Sequence, residues 1–242
     1  MCSSDLKIST PTYELELPST GKKIKYRPFL VREEKILIMA LESENMKQIS
    51  SAIKTVITDC ISTRGVKVDD LSTFDIEYLF LNIRARSVGE TVEVNITCPD
   101  DNVTKVKVEI DLDAIKVDKN PKHSNVVKLD DNLSIQMKYP SLAQFVENNF
   151  EYTESGSDVD KSLEVIVACI GQVFTEDESW SASDCTKKEL REFVEQMNTK
   201  QFKDIEEFFN TMPKLAHTVK VKNPETGVES EVVLEGLASF FS

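Results

Sequence analysis

Four pairs of short segments alternate between hydrophobic and polar residues, and turn-forming residues separate the two members of each pair. The pairs are residues 12–17 and 22–26, 92–98 and 106–112, 126–129 and 133–139, and 218–222 and 231–234. Alternation places every second side chain on one face of a strand, and turn residues between two such runs are typical of a β-hairpin. The pattern therefore predicts four antiparallel hairpins, and the alternation in residues 92–98 and 106–112 gives that hairpin one solvated face.

Elsewhere, apolar residues recur every three or four positions, the spacing that places side chains on one face of an α-helix. Ser141 with Gln144, and Thr186 with Glu189, fit the capping box that begins a helix. We expect helices around six groups: Ile36, Leu37, Met39 and Ala40; Met46, Ile49, Ile53, Val56 and Cys60; Phe74, Ile76, Leu79, Phe80 and Ile83; Leu163, Val165, Ile166, Val167 and Cys169; Leu190, Phe193, Val194 and Met197; and Phe202, Ile205, Phe208 and Phe209.

Several helices packed with short antiparallel hairpins indicate an α+β fold. The 242 residues suit a single domain, residues 1–242, and length alone leaves a second arrangement open. In that arrangement residues 1–139 form a lobe of hairpins and helices, and residues 140–242 form a helical lobe with the closing hairpin.

Two of the hairpins have similar sequences around their turns. Thr91-Val92-Glu93-Val94 leads to Cys98-Pro99-Asp100-Asp101, and Thr218-Val219-Lys220-Val221 leads to Asn223-Pro224-Glu225-Thr226. A structural zinc site needs four Cys or His ligands, commonly from two Cys-x-x-Cys knuckles at such turns. Asp101 stands where the first knuckle needs its second thiolate, and the other turn has no cysteine. We therefore predict metal-free hairpins and no metal site.

The net charge of −13, from 29 Lys and Arg against 42 Asp and Glu, limits the kinds of partner that are expected. A negative surface repels nucleic acid and anionic lipid, so neither is expected as a partner. A solvated surface explains the charge most simply, and a basic protein partner is the alternative. Residues 1–10 lack the apolar core of a signal peptide, and no segment reaches the roughly 18 apolar residues of a membrane span. Five scattered cysteines then suggest reduced thiols in a cytoplasm.

Candidate catalytic residues are few. The two histidines, His123 and His217, have no nucleophile in a recognisable setting, and Cys169 lies in an apolar run that disfavours its thiolate. The glycines are isolated, so no phosphate-binding loop is expected. We predict a non-enzymatic protein without a cofactor. A site built from two distant carboxylates stays open, because its members need not be close in sequence.

Three stretches together resemble the baseplate hub and hub-assembly proteins of T-even-type tailed phages. They are YRPFLVREEK at residues 26–35, FDIEYLFLNIRARSVG at residues 74–89, and FFNTMPKL at residues 208–215 followed by LEGLASFF at residues 234–241. Members of the family carry Cys-Pro-x-Cys knuckles at the two turns, and this chain departs from them there. The resemblance implies a late protein that helps to build the tail hub in the host cell cytoplasm. It acts either as a subunit that stays in the virion or as a chaperone-like assembly factor.

The expected partners are other baseplate hub proteins, and the oligomer is left open between homo- and hetero-oligomeric forms. Arginine and aromatic side chains at an exposed segment or near a chain end can anchor a partner. Phe29 and Phe240 could equally close their own core. The alternatives to a hub role are a metal- or nucleic-acid-binding adaptor and a carboxylate-based enzyme. The candidate partner-binding residues are Arg27, Pro28, Phe29, Leu237, Phe240 and Phe241.

Overall fold

The computed structural model describes residues 9–43, 45–141, 158–236 and 239. The chain forms two compact units. The first comprises residues 1–68, 74–117 and 215–242, and the second comprises residues 69–73 and 118–214. The closing hairpin, which the two-lobe alternative placed with residues 140–242, lies in the first of these units.

The described residues form blocks of helices and several short antiparallel sheets, which confirms the α+β class. The helices are α1 (Val31–Glu42), α2 (Met46–Cys60), α3 (Thr73–Ser87), α4 (Asp158–Cys169), α5 (Lys187–Glu195) and α6 (Thr199–Thr211). The strands are β1 (Tyr13–Glu16), β2 (Lys23–Tyr26), β3 (Thr91–Thr97), β4 (Lys105–Asp111), β5 (Lys116–Asp118), β6 (Val126–Lys128), β7 (Ser134–Met137), β8 (Ile170–Phe174), β9 (Ser179–Ser181), β10 (Lys214–Lys222) and β11 (Glu229–Glu235).

The first unit contains two separate hairpins, β1–β2 and β3–β4, and a three-stranded sheet in the order β11-β10-β5. Its most buried helix is α3, whose five predicted core residues are all buried, as are Leu81 and Ala85. A helix with apolar residues around most of its surface belongs in a protein interior. Buried Asp75 of α3 also accepts a hydrogen bond from the backbone N–H of Ser19 at 3.0 Å, which ties the β1–β2 turn to this helix.

The second unit is built on a four-stranded antiparallel sheet in the order β6-β7-β8-β9. One face of this sheet carries Ile135, Met137 and Val173 into a core that also contains apolar residues of α4, α5 and α6. The capping box predicted for Thr186 is present: its hydroxyl accepts from the N–H of Glu189 at 3.2 Å, and its own N–H donates to the Glu189 carboxylate at 2.7 Å. The box predicted for Ser141 and Gln144 lies outside the described residues, because Gln144 does.

Candidate protein-interaction site

The predicted partner-binding segment is less exposed than its sequence suggested. Pro28 is buried, and Arg27 and Phe29 are partly buried. Phe29 is held by its backbone N–H, which donates to the Ser87 hydroxyl of α3 at 2.9 Å. The expectation of an exposed Arg-Pro-Phe segment was therefore wrong for Pro28, because the chain here passes from β2 into α1 along the body of the unit. Partner binding by these three residues stays a prediction.

Arg27 uses its guanidinium inside the protein. Its Nη2 lies 3.0 Å from Oε1 of Glu33, and its Nη1 donates to the carbonyl oxygen of Pro28 at 2.9 Å. The same Nη1 lies 3.8 Å from the sulfur of Cys60, and the Arg27 side chain is 19% exposed. An arginine engaged in this way fixes the entry to α1, so its first role is in the fold.

Glu33 is the acceptor at the centre of this arrangement. Its side chain is fully buried, and it accepts from Arg27, from Nε of Arg32 at 2.5 Å and from the backbone N–H of Leu30 at 2.6 Å. The last bond satisfies an orphan donor in the first turn of the helix. Burial raises the pKa of Glu33, but hydrogen bonds from Arg27, Arg32 and Leu30 outweigh it, and the pKa falls to about 2. Glu33 is therefore a buried anion at neutral pH.

With α1 anchored by Glu33, most of its apolar side chains face outward. Ala40 is buried and Leu37 is partly buried, which matches one inward stripe. Val31 is 80% exposed and Met39 is 60% exposed. Several large apolar side chains exposed on one helix are typical of a protein-binding site. The large apolar residues that are exposed on α1 and just before it are Leu30, Val31, Ile36, Ile38, Met39 and Leu41.

The other predicted partner-binding residues are at the C-terminal end of the sequence. Leu237, Phe240 and Phe241 lie outside the described residues. Their part in binding a partner stays a prediction, and so does the alternative that Phe240 closes the core.

The two similar turns meet, and side chains join them directly. Asn223 is 1% exposed, and its amide Nδ2 donates to both oxygens of Asp100 at 3.1 Å and to Oδ2 of Asp101 at 2.9 Å. Thr226 adds a hydrogen bond from its hydroxyl to Asp100 at 2.5 Å. Each turn also has one residue with positive φ, Asn102 at 55° and Gly227 at 75°. We call Asp100, Asp101, Asn223 and Thr226 the turn-bridging cluster.

Two Cys-Pro-x-Cys knuckles would need thiolates at residues 98, 101, 223 and 226, and Asp101, Asn223 and Thr226 of the turn-bridging cluster stand at three of these positions. Asp101 also accepts from the hydroxyl and N–H of Thr104 and from the N–H of Val103, and these bonds together with Asn223 hold its pKa well below the usual range. Cys98 is buried beside the cluster, and burial followed by the two aspartates raises its pKa. Within the described residues no group of three or more His, Cys, Asp or Glu could hold a metal ion. Asn223 and Thr226 therefore join the two turns by hydrogen bonds to Asp100 and Asp101.

The candidate catalytic residues lie in structural settings. His123 stacks on Tyr139 and contacts the ring of Phe208 at a tilt of 38°. Its two ring nitrogens lie 3.0 Å from the hydroxyls of Thr211 and Tyr139. Burial lowers the pKa of His123. Burial also raises the pKa of the Cys169 thiol to about 12 and that of Cys60 to about 11. Thiols with such values are poor nucleophiles at neutral pH.

Comparison with known proteins gives one family. No curated protein and no solved structure matches the chain. Across the described residues, no helix has both the length and the apolar character needed to cross a membrane. The sequence matches the family described as T4 bacteriophage base plate protein over residues 10–242, which is nearly the whole chain. This match confirms the resemblance found at residues 26–35, 74–89, 208–215 and 234–241. The chain therefore belongs to the T4 bacteriophage base plate protein family and has a structural role in the phage baseplate.

Proposed function

We propose that the chain acts at the baseplate hub by binding other hub proteins, without a chemical step. The observation that carries this proposal is the exposed apolar surface of α1 in a member of a baseplate family. Burying a Val or Met side chain that was exposed contributes about 1.5 to 3 kcal/mol. A few such residues on one helix are enough for a specific contact with another protein.

The position of α1 supports the same proposal. The helix begins at Val31, after Arg27, Pro28, Phe29 and the N-cap residue Leu30, and the ion pair between Arg27 and Glu33 holds its first turn. A partner would then meet an ordered helix, so little conformational entropy is lost on binding. Arg27 to Phe29 would lie at the edge of this contact and Val31 and Met39 within it.

The chain assembles into the hub in the cytoplasm of the infected cell. It then either remains in the virion as a hub subunit or leaves as an assembly factor. Protein contact through α1 serves both roles. Mass spectrometry of purified mature particles distinguishes them, because a subunit is present in constant ratio to other baseplate proteins and a departed factor is absent.

Co-expression with the other hub proteins of the same phage tests the contact. We expect a complex that survives purification, and that Val31→Asp combined with Met39→Glu reduces the recovered partner at least about tenfold, because two charges replace buried apolar contacts. Val103→Asp is the matched control, since Val103 is an exposed apolar residue in the β3–β4 turn.

Equal recovery with the α1 double variant and the Val103 variant would show that α1 is not the contact. A wild-type chain that captures no hub protein would overturn the hub proposal itself. Truncation before Leu237 tests the C-terminal residues in the same experiment, and an unchanged complex would remove Leu237, Phe240 and Phe241 from the contact.

A further inference from the structure

The sheet of the second unit has an outer face that bears an open depression of about 390 Å³. Strand alternation explains its floor. Ile135 and Val173 point into the core, so Gln136 and Gln172, which lie opposite each other on β7 and β8, point outward. Phe174 lies on the outward side of β8 and is half-buried. The floor is therefore an aromatic ring beside two uncharged hydrogen-bonding amides.

An acidic turn forms the rim of the depression. Glu176, Asp177 and Glu178 connect β8 to β9 and are all exposed. Thr175 fixes the turn: its N–H donates to the carbonyl oxygen of Glu178 at 2.8 Å, and its hydroxyl accepts from the Glu178 N–H at 3.0 Å. Within the described parts of the chain none of the three carboxylates has an ion pair or a hydrogen bond. Three negative charges thus face solvent beside a preformed hollow.

The depression also adjoins the edge of the sheet. Among the strands of the described residues, β9 pairs with β8 alone in the order β6-β7-β8-β9, and its three residues are largely exposed. An edge strand leaves backbone donors and acceptors available for a further extended segment. Side chains from such a segment would alternate, and those directed to the outer face would reach the acidic rim.

We infer that this outer face is a docking site for an extended, lysine- or arginine-bearing segment of a partner protein. The rim supplies charge complementarity, the edge of β9 supplies backbone pairing, and Phe174 supplies a surface for the aliphatic part of a basic side chain. A bare metal ion fits less well, since the described residues include no group that could hold one. The site is distinct from α1 and does not depend on the hub assignment.

The single tryptophan of the chain makes the site measurable. Trp180 lies in the middle of β9, opposite Val173, and is 45% exposed. The probe is the peptide Lys-Thr-Lys-Val-Lys-Thr-Lys with blocked ends, titrated into the full chain at low salt. We expect a saturable change in Trp180 emission, weakened by raising the salt to about 0.15 M, where the Debye length is about 8 Å.

Glu176→Gln, Asp177→Asn and Glu178→Gln together should weaken peptide binding about tenfold while preserving side-chain shape. The matched control is Asp131→Asn with Glu206→Gln and Glu207→Gln, which removes the same charge from exposed positions of the same unit. Equal weakening by both triples would mean that only net charge attracts the peptide, and the proposal would be wrong. It would also be wrong if a peptide with Glu in place of Lys bound as well, or if calcium ions alone produced the emission change.

Discussion

Glu33 holds the chain in place at the start of α1. Its carboxylate joins the guanidinium groups of Arg27 and Arg32 to the N–H of Leu30, and it is buried where no solvent can replace these partners. A buried charge of this kind is tolerated only while its partners stay in place, because a lone buried ion is strongly destabilising.

Glu33→Gln keeps the shape of the side chain and removes its charge. We expect the free energy of unfolding, measured in urea, to fall by about 3 kcal/mol, because Arg27 is left without its counter-ion in a mostly buried position. Glu42→Gln, at the exposed end of the same helix, should change it by less than about 0.5 kcal/mol. Similar values for the two variants would contradict a central role for Glu33.

The pKa of Glu33 also predicts a pH dependence. The folded-state pKa is about 2 and the ordinary value is 4.5, so the unfolded chain binds this proton first as the pH falls. The contribution of Glu33 to stability is therefore complete above about pH 5 and is lost between about pH 5 and pH 2. Wild type should lose more stability than Glu33→Gln over this range when both are unfolded in urea at successive pH values. A constant difference between them would contradict the assigned pKa.

The backbones of β7 and β8 approach each other closely at Gly171, where a side chain would not fit. A Cβ atom on Gly171 would lie 2.9 Å from the carbonyl oxygen of Gln136, next to the point where the register of the two strands shifts. Gly171→Val should therefore force the strands apart and lower the free energy of unfolding by about 2 to 3 kcal/mol. Gln172→Val, one residue along β8, should change it by less than about 1 kcal/mol, because β-branched side chains suit strands. Thermal unfolding followed by circular dichroism compares the two.

The turn-bridging cluster should contribute to the free energy of unfolding, because it joins the β3–β4 and β10–β11 hairpins. Asn223→Ala removes every side-chain bond between Asn223 and the two aspartates, and leaving hydrogen-bond partners unsatisfied in this way costs about 1 to 3 kcal/mol. We expect a loss of about 2 to 3 kcal/mol, against almost none for Asn95→Ala on the exposed face of β3. The melting temperature should not change with EDTA. A decrease with EDTA would revive a metal-binding role.

The hairpins could be predicted because alternation and turn residues are local signals: all four are present, and so are the six helices. Strands β5, β8 and β9 were missed. The apolar run of α4 continues from Cys169 into Ile170 without a break, and β9 has only three residues. The contact of Asn223 with Asp100 was also missed, because it joins residues 123 apart in the chain. Periodicity could not show that Val31 and Met39 face solvent, because exposed apolar residues on a helix have the same spacing in sequence as buried ones.

The negative net charge of the chain opposes the tendency of the exposed apolar residues of α1 to associate. The net charge of −13 at pH 7 makes copies of the chain repel one another, and this repulsion opposes association through exposed Val31, Met39 and their neighbours. This repulsion disappears near the isoelectric point of about 4.8. The extent of self-association at acid pH should therefore show whether the exposed apolar residues of α1 bind other copies of the chain.

Dynamic light scattering between pH 7 and pH 4.8 tests this balance. We expect wild type to self-associate as the pH approaches 4.8, and Val31→Asp to reduce the association at equal protein concentration. Val103→Asp adds the same charge at another exposed apolar residue, so it should reduce association less. Equal behaviour of the two variants would assign the effect to charge alone.

The turn-bridging cluster also has a consequence for synthesis on the ribosome. Asp100 and Asp101 emerge well before Asn223, and residues 118–214, nearly all of the second unit, are made in the interval. At about 5 to 20 residues per second, translation leaves the first unit unfinished for about 5 to 20 s. During this interval the nascent chain contains hairpin β3–β4 without hairpin β10–β11, while the second unit has been made and can fold. The first unit is therefore begun first and completed last.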